Sequence, residues 1–164
     1  MHEITFSSSD KSEMYREILP QIEALIDGEP NLIANLANIT AVLKSSFGWL
    51  WVGFYLVEQD GGLVLGPFQG PPACTRIAYG RGVCGQSLAQ AQTVIVSDVN
   101  QHPDHIACSS LSQSEIVVPV FGQGGKVAAV LDVDSETTGQ FDQTDAEFLQ
   151  KICLLIGSRH FSAT

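Results

Sequence analysis

Apolar positions recur at helical spacing over the first third of the chain. EMYREILPQIEALIDG (residues 13–28) is amphipathic and predicts a helix that is bent or broken near Pro20, where a backbone N–H is missing. PNLIANLANITAVLKSSFG (residues 30–48) predicts a second helix. Pro30 suits its first turn, and Gly48 suits its C-terminal cap.

Shorter apolar and alternating runs follow, and they predict strands joined by Gly-rich turns. GRGVCGQSLAQAQ (residues 80–92) predicts a turn and a short helix, and residues 100–113 predict a long loop. DGG and GQGG each fit the turn of a hairpin, which implies an antiparallel sheet. The predicted strands are residues 49–58, 63–70, 93–99, 115–121 and 126–134.

The chain closes on QTDAEFLQKICLLIGSRHF (residues 143–161), a predicted helix with Asp142 or Thr144 as its cap. Helices near both chain ends are expected to cover one face of the sheet. The loops are expected to enclose a ligand on the other face, where small-molecule sites form. The predicted fold is therefore α+β: a single domain over residues 1–164 with a central antiparallel sheet.

Composition narrows the possible partners. The net charge is −10 with only 8 Lys and Arg in 164 residues. Binding to nucleic acid or to anionic lipid needs clustered basic residues, so neither partner is expected. The N-terminal segment lacks the basic and apolar regions of a secretory signal, and no apolar run reaches the roughly 20 residues of a membrane helix. We therefore expect a cytoplasmic protein.

In a reducing cytosol the four cysteines are expected to be free, catalytic or metal-bound. Cys153 falls on the apolar face of the last helix and is expected in the core. Cys74 and Cys108 lie in loops. Cys84 lies at the start of the short helix, where the helix dipole is expected to lower the pKa of a thiol. Three such thiols in one small domain favour thiol redox chemistry, although each taken singly could be a buried filler.

A second constellation is acidic. Asp132 and Asp134 are two apart in a predicted strand and share a face. If Phe121 pairs with Lys126 across the GQGG turn, Glu115 lies opposite Asp132, and like charges there destabilise the pair. A shared proton, a metal or a cationic ligand would offset the repulsion; solvated carboxylates at a sheet edge are the alternative. A carboxyl held between other carboxyls and apolar walls has a raised pKa and serves as a proton donor near neutral pH.

Two motifs resemble binding sites but are incomplete. His102, His105 and Cys108 have a spacing that zinc accepts, but no fourth ligand lies nearby. Residues 80–85 fit G-x-G-x-x-G and are followed by Asp98, yet the intervening helix is too short for a parallel crossover. We therefore expect neither a metal nor a nucleotide cofactor.

The aromatic run WLWVGFY offers a candidate pocket wall. In a strand, Trp49 and Trp51 would share a face. Most of these side chains are expected in the core, and one tryptophan on the site face would wall a small apolar pocket.

The stretches GPFQGPPACTRIAYGRGVCG, HIAC, SEIVVPV and VAAVLDVDS together resemble the free methionine-(R)-sulfoxide reductases, which are built on a single GAF domain. The resemblance runs over residues 31–164, and the helical region 1–28 diverges. The second hairpin turn is longer by a residue than in the family.

The resemblance implies a role for each loop cysteine. Cys108 is similar to the cysteine that attacks the sulfoxide sulfur and becomes a sulfenic acid. Cys74 resembles the one that resolves it to a disulfide, and Cys84 resembles a third, accessory thiol. Sequence spacing leaves open which of Cys74 and Cys84 resolves Cys108 first.

The resemblance also implies a substrate pocket. Glu115 and Asp134 match positions that hold and polarise the sulfoxide oxygen. Asp132 matches an acidic position of the pocket, and Trp51 matches the wall against the S-methyl group. The implied partners are free methionine-(R)-sulfoxide and, as reductant, thioredoxin, with a homodimer also implied. The alternative is a non-catalytic GAF module that senses a small molecule, because the fold alone does not decide the function.

Overall fold

The computed structural model describes residues 3–162. Helix α1 (Lys11–Ile26) begins at Asp10, whose side chain accepts a hydrogen bond from the N–H of Glu13. Of the two predicted alternatives at Pro20, a bend or a break, the break is wrong, because the helix continues through this residue. Pro20 lies on the exposed side, whereas Ile18 and Ile22 on the opposite side are fully buried and anchor both halves of the helix in the core.

Helix α2 (Leu32–Phe47) begins two residues later than the sequence suggested. Its cap is Asn31, whose side chain accepts from the N–H of Ala34, so Pro30 precedes the cap and is not in the first turn. Gly48 ends the helix in the left-handed region with φ of 67°, as predicted. A side chain would be strained there, which explains the glycine.

Within the described residues, six strands form one sheet in which every neighbouring pair is antiparallel. Their order across the sheet is β3-β2-β1-β6-β5-β4. The two-residue edge strand β3 was not expected from the sequence. The strands are β1 (Trp51–Val57), β2 (Leu63–Gln69), β3 (Arg76–Ile77), β4 (Val94–Val96), β5 (Ser114–Phe121) and β6 (Val127–Ser135).

Helix α3 (Gly82–Gln90) lies between β3 and β4, and helix α4 (Gln143–His160) closes the chain. Asp142 caps α4 in a capping box with Asp145. Asp145 is fully buried and also accepts from the Tyr15 hydroxyl and the Lys11 ammonium, both at 2.7 Å. These bonds join α1 to α4. The buried, hydrogen-bonded carboxylate of Asp145 therefore holds the two ends of the described chain together.

The sheet separates two hydrophobic clusters, one on each face. The larger contains buried residues of α1, α2 and α4 packed on Phe54 and Leu131. The smaller contains Tyr55 and Val117 with residues of α3. Helices thus cover one face and the loops with α3 cover the other, as the sequence predicted. None of the helices within residues 3–162 is both long and apolar enough to cross a membrane.

The register between β5 and β6 differs from the predicted one. Phe121 pairs with Val127 instead of Lys126, and an irregularity next to Phe121 shifts the pairing by one further residue. Glu115 therefore lies opposite Asp134, not opposite Asp132. The difference arises because Lys126 belongs to the turn, which is longer than the GQGG motif alone.

Candidate active site

A pocket opens on the sheet face opposite the terminal helices. Its floor is formed by β1, β5 and β6, and α3 forms one side. Two loops, residues 71–74 and 105–112, supply the remaining walls. All seven site residues predicted from the sequence belong to the pocket or to its disulfide: Trp51, Cys74, Cys84, Cys108, Glu115, Asp132 and Asp134.

Cys74 and Cys108 are joined by a disulfide, with 5.7 Å between their Cα atoms. They are 34 residues apart in the sequence, so only the fold makes them neighbours. The Tyr55 hydroxyl donates to the carbonyl of Cys74 at 2.8 Å and ties this loop to β1. Cys84 and Cys153 are free thiols, and Cys153 is buried in the helical core as expected.

Glu115 and Asp132 are buried and Asp134 is half-buried, so none of the three carboxyl groups is the solvated edge residue of the alternative interpretation. Glu115 is 5% exposed and Asp132 is 7% exposed. Burial, together with the nearby Asp134 carboxylate, raises the pKa of Glu115 to about 8. Burial also raises the pKa values of Asp132 and Asp134 well above the ordinary range, and the mutual repulsion of the carboxylates adds to the effect.

The pairing of strands explains this cluster. Asp134 is flanked by Trp51 of β1 and by Glu115 of β5. Asp132 is flanked by Gly53, which has no side chain, so the indole of Trp51 lies over that position. A Cβ built on Gly53 would be 2.3 Å from the ring of Trp51. The glycine in β1 is therefore what allows the tryptophan to close the pocket.

Trp51 is held in place by three contacts. Its indole N–H donates to the carbonyl of Pro71 at 3.0 Å, and its ring stacks on Phe68 and Tyr55. Trp49 does not share its face, which corrects the sequence prediction. Because β1 begins at Trp51, the alternation of a strand does not extend back to Trp49, whose ring packs in the helical core.

The thiol of Cys84 contradicts another expectation. Burial raises its pKa, and the charges of Asp132 and Glu115 raise it further. The predicted lowering by the start of α3 is therefore outweighed, because desolvation and neighbouring carboxylates both disfavour a thiolate. One oxygen of Glu115, one oxygen of Asp132 and the sulfur of Cys84 lie within 4.8 Å of one another.

Two polar neighbours of the carboxyl groups were missed by sequence reasoning. The Ser112 hydroxyl donates to Asp134 at 2.6 Å, and Nε2 of His105 lies 3.5 Å from a carboxylate oxygen of Glu115. Both residues come from the loop that carries Cys108. The only sequence signal was their position in a polar loop that precedes a buried strand.

The two motifs set aside in the sequence do not assemble in the fold. Nε2 of His102 lies 2.8 Å from Gln86, whereas His105 faces Glu115 and Cys108 is in the disulfide. Strand β4, which follows the glycine-rich turn and α3, pairs with β5 in the antiparallel sense. The parallel βαβ unit that a dinucleotide site requires is thus replaced by a different connection.

Comparison with known proteins shows similarity over almost the whole chain. A family model described as "GAF domain" matches residues 31–159. "GAF domain-containing protein A" of Dictyostelium discoideum is 54% identical over 154 residues, which cover 94% of this chain and 97% of that protein. The "Free methionine-R-sulfoxide reductase" of Saccharomyces cerevisiae is 40% identical over 161 residues, covering 93% and 89%.

A solved structure is similar in both sequence and fold. It is the X-ray structure of free methionine-R-sulfoxide reductase from Neisseria meningitidis in complex with its substrate. It is 59% identical, has a TM-score of 0.94, and the match covers 97% of this chain and 95% of that one. At this similarity the backbone that carries the pocket is shared.

Proposed function

The chain belongs to the GAF domain family and, within it, to the free methionine-R-sulfoxide reductases, and on that basis we propose how its pocket reduces free L-methionine-(R)-sulfoxide to L-methionine. The main support for the proposal is the Cys74–Cys108 disulfide beside the buried carboxyl groups of Glu115 and Asp132 and the half-buried one of Asp134. A thiol pair that closes a disulfide supplies two electrons, and a raised-pKa acid supplies the proton.

The first step transfers oxygen from the substrate to the enzyme. The Cys108 thiolate attacks the sulfoxide sulfur while Glu115, supported by Asp134, donates a proton to the oxygen. The attack forms a transient bond between the two sulfur atoms. The S–O bond of the substrate then breaks as its hydroxyl group moves to the Cys108 sulfur, and the sulfur–sulfur bond breaks with it, which leaves a sulfenic acid on Cys108 and free methionine. Protonation is needed because oxide is a poor leaving group, and the pKa of Glu115 near 8 keeps this group protonated at neutral pH.

The second step removes the oxygen as water. The Cys74 thiolate attacks the sulfur of the Cys108 sulfenic acid, and the leaving hydroxide takes up a proton. The observed disulfide supports Cys74 as the resolving residue. Cys84 is buried, with a raised pKa, and we assign it an accessory role beside the carboxyl groups.

Substrate binding uses the same groups. We assign Trp51 to the S-methyl group, since its ring lines the pocket and is fixed by stacking on Tyr55 and Phe68. The substrate ammonium is a cation that offsets the repulsion among the carboxylates, with Asp132 as its partner. A pocket that binds the ammonium through Asp132 selects an amino acid whose amino group is free, and we propose a preference for the free form on that ground.

The catalytic cycle closes when an external dithiol reduces the disulfide. We propose thioredoxin as that reductant, acting by thiol–disulfide exchange in the cytoplasm. The homodimer is part of the same proposal, as is a single GAF-like domain over residues 1–164, of which residues 31–164 match the family.

The test is a turnover assay with four substrates: each epimer of methionine sulfoxide, free and within a peptide. We expect thioredoxin-dependent release of methionine from the free (R) epimer and at least a hundredfold lower kcat/KM for the others. Stoichiometric binding of the free (R) epimer without turnover would contradict the proposal and favour the sensor module.

A further inference from the structure

Three residues of the pocket also form an arrangement that suits a second ligand. Cys84 on α3, Glu115 on β5 and Asp132 on β6 each direct one ligand atom to a common point, and the three atoms lie within 4.8 Å of one another. All three side chains are buried. Thiolate, carboxylate and carboxylate form a ligand set that zinc accepts, with a fourth position left for water or substrate.

An unpartnered oxygen points to a ligand at this place. Oδ1 of Asp132 is buried and has no hydrogen-bond partner within residues 3–162. A buried carboxyl oxygen without a hydrogen-bond partner is costly, and a bound cation that displaces the proton removes that cost. The neighbouring Asp134 carboxylate has a partner in Ser112, so the deficit is specific to Asp132.

We propose that Cys84, Glu115 and Asp132 bind a divalent cation of the zinc type and that this cation inhibits the enzyme by occupying the pocket. Zinc places sulfur at about 2.3 Å and carboxylate oxygen at about 2.1 Å, so its ligand atoms are on the order of 3.5 Å apart. The three ligand atoms already lie within 4.8 Å of one another, so small side-chain rotations would bring them to that separation. The site is regulatory, because no step of the reaction passes through the metal.

Binding exchanges protons for the metal. The thiol of Cys84 and the carboxyl groups of Glu115 and Asp132 lose their protons to solvent, and the cation takes the place of those protons. Affinity for the metal therefore rises with pH. The other titratable groups that face the site are Asp134 on β6, Tyr55 on β1 and His105 on the loop that carries Cys108.

Oxidised protein gives an unambiguous test. In the disulfide form Cys84 and Cys153 are the free thiols, so a metal–thiolate signal arises from one of these two. Cobalt(II) serves as the probe, because a thiolate ligand gives it an intense sulfur-to-metal charge-transfer band. We expect one cobalt ion per chain with this band, and displacement of cobalt by zinc.

Matched variants identify the ligands. Cys84→Ser should abolish the charge-transfer band, and Asp132→Asn should weaken cobalt binding at least tenfold while leaving the thiol. Cys153→Ala, which removes the other free thiol, should keep both the band and the affinity. Circular dichroism of each variant establishes that it is folded. Absence of the band from the wild type, or its persistence in folded Cys84→Ser, would overturn the proposal.

The inhibitory part rests on the proposed function and has a separate readout. Free L-methionine sulfoxide, added to the oxidised protein, should displace cobalt and remove the band. Glycine at the same concentration chelates metal in solution without filling the pocket. It should therefore remove at least tenfold less of the band intensity than methionine sulfoxide does. Equal displacement of cobalt by methionine sulfoxide and by glycine would overturn the proposal that metal and substrate share a site. A failed turnover assay alone would not change the result of the cobalt experiment.

Discussion

At the scale of single residues, the proton on Glu115 sets the chemistry. The reaction uses its acid form, and its pKa is raised to about 8 by burial and by Asp134. Because the acid form disappears as the pH rises through that value, kcat/KM should fall about tenfold per pH unit above 8. A pH profile of steady-state turnover measures this descending limb.

Substitution of Glu115 should remove both the activity and the descending limb of the pH profile. Glu115→Gln keeps the shape of the side chain but has no acid proton, so we expect a loss of about 100-fold or more in kcat/KM, typical of a missing general acid. Glu147→Gln, on the exposed surface of α4, is the matched control and should leave turnover unchanged. A Glu115→Gln enzyme with normal turnover and an unchanged pH profile would show that the proton comes from elsewhere.

The order of the cysteines is a second prediction at this scale. Cys74→Ser should still release one methionine per chain, because Cys108 performs the attack alone. The sulfenic acid on Cys108 then accumulates, and a dimedone adduct detected by mass spectrometry reports it. Multiple turnover with thioredoxin should be lost, whereas Cys153→Ala should retain it. Formation of a Cys84–Cys108 disulfide in place of the sulfenic acid would assign the resolving role to Cys84.

At the scale of elements, β1 positions the pocket wall through a glycine. Gly53→Ala places a methyl group where the Trp51 ring lies, since the two would be 2.3 Å apart. The indole must move off the pocket, and losing an apolar contact with the S-methyl group should raise KM by about tenfold with a smaller change in kcat. Tryptophan fluorescence reports the displacement, and the melting temperature establishes that the variant is folded. A displaced indole with unchanged KM would remove Trp51 from the substrate wall.

The same scale shows what the sequence could predict. Hydrophobic periodicity was sufficient for the four helices and for five of the six strands, because each buries a regular apolar face. The pairing of Glu115 with Asp134 was not predictable, because a turn one residue longer and an irregularity beside Phe121 both change the register. Ser112 and His105 were missed for a related reason: loop residues acquire a role only from the tertiary contacts that position them.

At the scale of the whole molecule, the acidic pocket costs stability. The folded protein holds a proton on Glu115 up to a pH of about 8, whereas an unfolded chain loses it near 4.5. Between these values the folded state binds more protons, so the free energy of unfolding falls as the pH rises, by roughly 1.4 kcal/mol per pH unit for this group. The Asp132 and Asp134 carboxyls act in the same direction.

Thermal unfolding across this pH range therefore separates the wild type from Glu115→Gln. The variant has no charge to bury at this position, so its melting temperature should fall less than that of the wild type between pH 5 and pH 8. At pH 8 the variant should be the more stable of the two proteins. A parallel decline of the two melting curves would place the pKa of Glu115 near its ordinary value.

The central claim is that this chain reduces a free amino acid sulfoxide with its own two thiols. It is tested most directly by mixing the fully reduced protein with free L-methionine-(R)-sulfoxide in the absence of any other reductant. We predict one methionine released per chain, with the Cys74–Cys108 disulfide as the oxidised product in peptide mapping. No methionine, or methionine formed without that disulfide, would contradict the account.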